Sequence, residues 1–485
     1  MKKKLLSLIF AFVCIFAFAG CGRGTTPSGG DGSGTIKNPW WTTEGTLEQE
    51  DGKVVFDEVE IDLTTVVNGE DLAAFNQIIA QFNAEYRGKI SVISTSVNQA
   101  NFETTVAQQI ANDSNAPDLI MSHQKGHKSF VENKLIQPFD ETMEESGIEI
   151  SLNDYAAGLA QYSNLGYEGY TFGIPADAQS MVIYYNKNML ARYGNKLPQT
   201  HAELIELCDE VAQAENIKPI AVSTSLEFFP DYVFPTAIVQ NGGSLYNTEN
   251  YYANWASDPA NLQAFKDAAQ SLRDIFYHTP ALADLNKGEA EALNNFLNDR
   301  ALFYFGMPWN LNSLLEAYAQ GHGNLTMDAV KENYIGAASV ANMFALESGT
   351  EDGNKIFGDS HFFAMSKTVT DVNKKAAICE FVKWFTQTGS VGAAWAEAGH
   401  ISASTIIANT AEYTENSVVT DYITRFYPDL NYFVCAGNTP YYGDMATQMR
   451  ALFVELMAES TGAKDETIIT SAQDDLNAII DFILM

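Results

Sequence analysis

Residues 170–190, YTFGIPADAQSMVIYYNKNML, carry the reading of this chain. Gly173 and Pro175 break any helix, because proline fixes φ and pushes its predecessor out of the α region. The stretch therefore begins extended. Met181 to Tyr185 is an apolar and aromatic run, long enough for one buried strand. Asn186 stands where a helix cap belongs, ahead of Lys187 and Asn188. Asp177 and Gln179 lie between the two parts, polar side chains held beside a core strand. On spacing alone, these alternating polar residues fit a solvated loop equally well.

Outward from this stretch, strand and helix alternate. Before it, residues 59–67 are β-rich, and Leu72, Phe75, Ile78, Ile79 and Phe82 then recur on one helical face. Residues 90–97 return to strand, 102–111 are helical, 117–121 are strand and 130–135 helix. After it, Thr200 with Glu203 forms a capping box. Strands follow at 219–223, 301–305, 335–340 and, behind a glycine turn, 357–365. Helices are expected at 228–243, 262–275, 290–297, from 312, and at 374–385, 444–459 and 470–484. This alternation predicts an α/β class with a largely parallel sheet and helices on both faces, binding ligands beyond the carboxyl ends of its strands.

The amino terminus has a different character. Lys2, Lys3 and Lys4 precede an apolar run too short to span a bilayer, the pattern of a secretory signal over residues 1–20. Phe18-Ala19-Gly20-Cys21 resembles a bacterial lipobox, which implies cleavage before Cys21 and lipidation of that cysteine. An ordinary signal with an incidental cysteine is the plainer alternative. Residues 22–34, GRGTTPSGGDGSG, hold almost no apolar side chain and suit a flexible tether. Residues 21–54 as a whole are expected to be anchor, tether and a surface lead-in.

Without the three signal lysines, 25 basic residues face 61 acidic ones, a net charge of −36. That excludes nucleic acid, which needs basic patches, and excludes electrostatic adhesion to anionic lipid. Membrane residence is left to the lipid. Cys208, Cys379 and Cys435 are an odd set without CxxC spacing, so they frame neither a disulfide network nor a zinc site. The 465 residues after the signal exceed what one core usually organises, so two lobes are expected.

Separated motifs then converge. Ala116-Pro117-Asp118-Leu119-Ile120 precedes Lys134-Leu135-Ile136-Gln137-Pro138. Gly173-Ile174-Pro175 precedes Tyr184-Tyr185-Asn186-Lys187. Ala301-Leu302-Phe303 leads to Gly306-Met307-Pro308-Trp309, and Gly462 is followed by Ser471-Ala472-Gln473-Asp474-Asp475-Leu476. Their order resembles, over roughly residues 55–485, the extracellular solute-binding proteins of ABC importers, in the sugar-binding branch that includes maltose-binding protein. The resemblance implies a two-lobed, periplasmic-binding-protein-like α/β fold of type II with hinge crossovers. It places these near residues 176–181, 337–342 and 400–405. The first lobe is then 55–178 with 341–400, and the second 179–340 with 401–485. It also implies a monomer that captures a sugar and delivers it to permease subunits, without catalysis or cofactor, anchored outside the cytoplasmic membrane.

A sugar ring needs aromatic platforms for its C–H faces and polar side chains for its hydroxyl rim. The resemblance assigns Trp309 and Tyr232 as platforms and puts Tyr441 and Tyr442 in a contact loop. Gln179 falls where the family often has a carboxylate. After the 117–121 strand come His123, Gln124 and Lys125, in place of the aromatic-plus-acid pattern of maltose-binding protein, which puts maltodextrin specificity in doubt. Asp359 and His361 follow the Gly358 turn and are expected to face the cleft, with Asp177. His123 and His127 share the i, i+4 spacing of a metal pair. The stretch starts at a strand end without a third ligand at suggestive spacing, so no metal is expected. A glycosidase, which would need two placed carboxylates, has no support from GxSxG, HExxH, P-loop or GxGxxG motifs. A surface adhesin would favour β-repeats, and none of 20–50 residues is present. A peptide, polyamine or metal ligand within the same class stays open.

Overall fold

The computed structural model describes residues 36–224 and 229–485. The signal, Cys21, the tether and the start of the 228–243 segment lie outside them. Two sheets organise the chain. In the first, Val59–Thr65 runs parallel to Ile90–Ser96 on one side and to Leu119–His123 on the other. His361–Ser366 then pairs antiparallel with Leu119–His123, in a register that sets His361 opposite His123. Leu119–His123 is buried throughout, as a strand covered on both faces must be. The helices Gly69–Glu85, Phe102–Ala111 and Val372–Gln387 supply those covers.

The second sheet runs in the order Ile220–Val222, Phe303–Gly306, Val182–Asn186, Ile335–Ala338. Asn186 ends its strand and caps the next helix, its side chain accepting from Met189 N at 2.9 Å. The Thr200 hydroxyl accepts from Glu203 N, but Glu203 reaches back to Gln199 N rather than to Thr200 N. Half of the expected box is therefore formed.

Three crossovers lie side by side between the sheets. Ile174–Pro175 pairs in the first sheet, and Asp177–Ala178 pairs with Ile401–Ser402. Val182–Asn186 belongs to the second sheet. The second crossover differs from expectation. Residues 341–357 pack on the second lobe, with Phe344 N donating to Gln240 and the Gln240 amide donating to the carbonyls of Val340 and Lys355. The chain crosses at residues 358–360 instead of 337–342, and Asp359 and Gln179 exchange backbone hydrogen bonds there. Gly358 is needed at this point, since a Cβ would stand 2.4 Å from the Gln179 carbonyl oxygen. A helix bonded to two segments decides the boundary, and local spacing carries no trace of that.

The lead-in also departs from expectation. Trp41 is buried, Trp40 stacks on Phe172, and Trp40 Nε1 donates to the Ile136 carbonyl at 2.8 Å. With Tyr167 and Tyr170 they form an aromatic cluster on the first lobe. Residues 36–54 are thus docked structure, because two tryptophans bury too much apolar surface to remain a leash. No helix among the described residues is long and apolar enough to cross a membrane.

Candidate functional site

The register of the first sheet builds one wall of the site. His123 closes the Leu119–His123 strand and precedes the helix Gln124–Glu132, so Gln124 and Lys125 project from that helix's first turn. The rings of His123 and His361 stack with centroids 4.9 Å apart. Asp359 Oδ2 lies 3.2 Å from Lys125 Nζ and 3.3 Å from His123 Nδ1, neither pair being aligned as a hydrogen bond. His123 Nδ1 instead accepts from the Gln179 amide at 3.2 Å, the partnership that suits a neutral ring. Burial and the Lys125 charge hold the His123 imidazole well below its usual range. Burial acts against the Lys125 ammonium, but Asp359 outweighs it and holds the pKa above the ordinary lysine range.

The other wall comes from the second lobe. Tyr232, in the turn Phe229–Val233, and Tyr442, at the start of the helix Tyr442–Leu456, both stand within electrostatic reach of Lys125 and Asp359. Burial raises the Tyr232 phenol to about 12. The walls touch: Gln124 Nε2 donates to the Gly437 carbonyl at 3.0 Å. Gln124 Oε1 and Asn438 Oδ1 beside this contact are buried hydrogen-bond acceptors without a partner among the described residues.

The structure therefore brings together His123, Gln124, Lys125, Gln179, Tyr232, Asp359, His361 and Tyr442. Other expected residues stand apart. Tyr441 is half-buried and lies toward Glu132 and Tyr251. Trp309 is half-buried in the turn Pro308–Asn310, its backbone against Gly399 at the third crossover. No aromatic ring stacks on it among the described residues.

Asp177 is fully buried and committed to the hinge. Its Oδ1 accepts from His361 N, and its Oδ2 accepts from His361 Nδ1 and Trp395 Nε1, each at 2.8 Å. His400 Nδ1 lies 3.3 Å from the same Oδ2, and His400 Nε2 lies 3.2 Å from Asp71 Oδ2. Burial raises the Asp177 carboxyl, but the two imidazoles prevail and hold it well below the usual range. Burial likewise lowers His400, and Asp177 with Asp71 reverses this, lifting it to about 9. His123 and His127 do not converge. His127 Nε2 meets Ser122 Oγ at 2.8 Å, and burial holds its pKa near 3.

Sequence reasoning missed Trp395, and it read His400 only as a crossover position. Trp395 belongs to the helix Gly389–Glu397, whose Gly389 and Gly392 lower helix propensity and masked it. Its indole stacks on His400 with centroids 4.1 Å apart. A histidine next to Gly399, just ahead of a crossover, was the available signal.

The model of bacterial extracellular solute-binding proteins matches residues 77–420. The sn-glycerol-3-phosphate-binding periplasmic protein UgpB of Salmonella typhimurium is 24% identical over 147 residues, 30% of this chain and 32% of the relative. The chain thus matches about a third of that relative's length. Among solved structures, the sugar-binding protein MalE from Xanthomonas citri superposes with a TM-score of 0.68 at 16% identity, covering 88% of this chain and 97% of that one. The GacH receptor of Streptomyces glaucescens, solved unliganded and with acarbose, gives 0.64 at 15% identity, covering 87% and 99%. At these identities the structural likeness is one of fold.

Proposed function

The chain belongs to the bacterial extracellular solute-binding protein family, and from that premise we propose that it captures a mono- or oligosaccharide between its lobes. It hands the sugar unaltered to the membrane permease of an ABC importer and works as a monomer tethered by lipidated Cys21. One observation carries the reading. Polar side chains from both lobes meet at the cleft, and buried acceptors at Gln124 Oε1 and Asn438 Oδ1 have no donor among the described residues. An unmet buried acceptor costs about 1–3 kcal/mol, and sugar hydroxyls are donors that meet it.

In this reading Gln124, Lys125, Gln179 and Asp359 bind the hydroxyl rim and Tyr232 and Tyr442 cover the ring face beside them, while Trp309, apart from this cluster, serves a further ring of an oligosaccharide. His123, as a neutral ring with Nδ1 accepting, offers Nε2–H to a hydroxyl, and His361 backs it. Asp177 acts indirectly by fixing His361. A phosphorylated polyol is the second reading, favoured by the Lys125 ammonium in the cleft. Its anion would have to compete with Asp359, already 3.2 Å from that ammonium, and this favours the neutral sugar. Calorimetric titration with neutral oligosaccharides and with sn-glycerol 3-phosphate separates the two. Heat from the phosphate alone would overturn the sugar reading. Recovery of the bound sugar unchanged by chromatography tests the absence of catalysis.

A further inference from the structure

The three crossovers each contribute one metal-ligating side chain to a single buried point. Asp177 comes from the first, His361 follows the second, and His400 opens the third. Their donor atoms lie within 4.8 Å of one another, and all three residues are buried. We propose that they form a hinge-locking site for a divalent transition metal, zinc in particular, behind the sugar-binding cleft and joined to it through His361, which stacks on His123.

The donor set suits that ion. Imidazole with one carboxylate is a zinc combination, whereas calcium and magnesium take oxygen ligands. Two zinc–ligand bonds of about 2.0–2.2 Å at a tetrahedral angle set their donor atoms about 3.3–3.6 Å apart. His400 Nδ1 stands at the lower end of that range from Asp177 Oδ2, 3.3 Å, and His361 Nδ1 at 2.8 Å needs to open by about 0.5–0.8 Å. His400 Nδ1 is buried and aimed into the cluster, close to Asp177 Oδ2 but without an aligned hydrogen bond among the described residues. The surrounding groups match what orients zinc ligands elsewhere. Asp71 Oδ2 faces the far nitrogen of His400 at 3.2 Å, and Trp395 Nε1 donates to Asp177. A zinc ion here replaces the proton on His400 Nδ1, and the Nδ1 proton of His361 moves to its Nε2, so that both imidazoles ligate through a bare Nδ1. The ion ties the three crossovers together, leaving the fourth position to water.

The test uses the chelator-treated full chain and zinc alone, followed by calorimetry and native mass spectrometry. One zinc per chain is expected, with the imidazole signals of His361 and His400 shifting in wild-type NMR spectra. Asp71→Asn, which removes an orienting group at the edge of the cluster, should weaken zinc binding about 10- to 100-fold. Asp177→Asn should abolish it. His278→Ala and His322→Ala, at the separate Asp209 and Asp299 pairs, should leave it unchanged. Should Asp177→Asn fail to fold, the wild-type NMR titration and Asp71→Asn decide. No zinc uptake, uptake that survives Asp177→Asn, or NMR shifts confined to other histidines would overturn the proposal and leave a proton-held network.

Discussion

Gln124 of the first lobe donates its side-chain Nε2 to the Gly437 carbonyl of the second at 3.0 Å. One amide thus spans the two walls, and its oxygen is left for a donor from outside the chain. Gln124→Ala should weaken sugar binding by about 1–3 kcal/mol, roughly 5- to 150-fold. Calorimetry checks it, and unchanged affinity would remove Gln124 from the rim contacts.

Trp309→Ala should weaken binding by about 1–3 kcal/mol, the range for losing an aromatic anchor. Its half-buried position between a rigid turn and Gly399 makes the fold tolerant. Urea unfolding should show less than the about 3–5 kcal/mol loss of a core tryptophan. Intact affinity with a large stability loss would assign Trp309 to packing.

The local parts of the fold were legible, and the long-range parts were not. Asn186 declared its cap, and the 117–121 and 181–185 runs declared their strands, because capping chemistry and apolar run length are written in adjacent residues. The juxtaposition of His361 with His123 depends on antiparallel pairing between distant strands. The second crossover depends on Gln240 binding segments on both sides of residues 341–354. Trp395 was hidden in a glycine-containing helix, and the docked Trp40 and Trp41 sat beside a polar tether that dominated the local composition.

The buried neutral ring of His127 sets a pH dependence. Burial is the largest cause of its lowered pKa, near 3, with Asp359 opposing and His361 assisting. The unfolded chain takes a proton near pH 6.5 that the folded chain refuses, so this contribution to stability falls as pH falls from about 6.5 towards 3. By pH 4.5 the loss is about 2–3 kcal/mol, at 1.36 kcal/mol per pH unit. His127→Gln should flatten this part of the profile in urea unfolding at pH 4.5, 5.5 and 7. Identical slopes for the two proteins would contradict it.

In the proposed reading, Cys21 decides membrane residence. Cys21→Ala should release the protein from the membrane fraction and remove the lipid mass from the amino-terminal peptide. Unchanged fractionation, with no lipid on the wild-type peptide, would end the anchor reading.

The most direct measurement is a thermal-shift panel on the full chain, using neutral mono- and oligosaccharides, sn-glycerol 3-phosphate, spermidine and short peptides. A ligand that binds only the folded state at 100 times its dissociation constant adds about 2.7 kcal/mol of stability. At least one neutral saccharide should raise the melting temperature, and Gln124→Ala should reduce that shift. A panel in which no saccharide acts while the phosphate, polyamine or peptides do would contradict sugar capture.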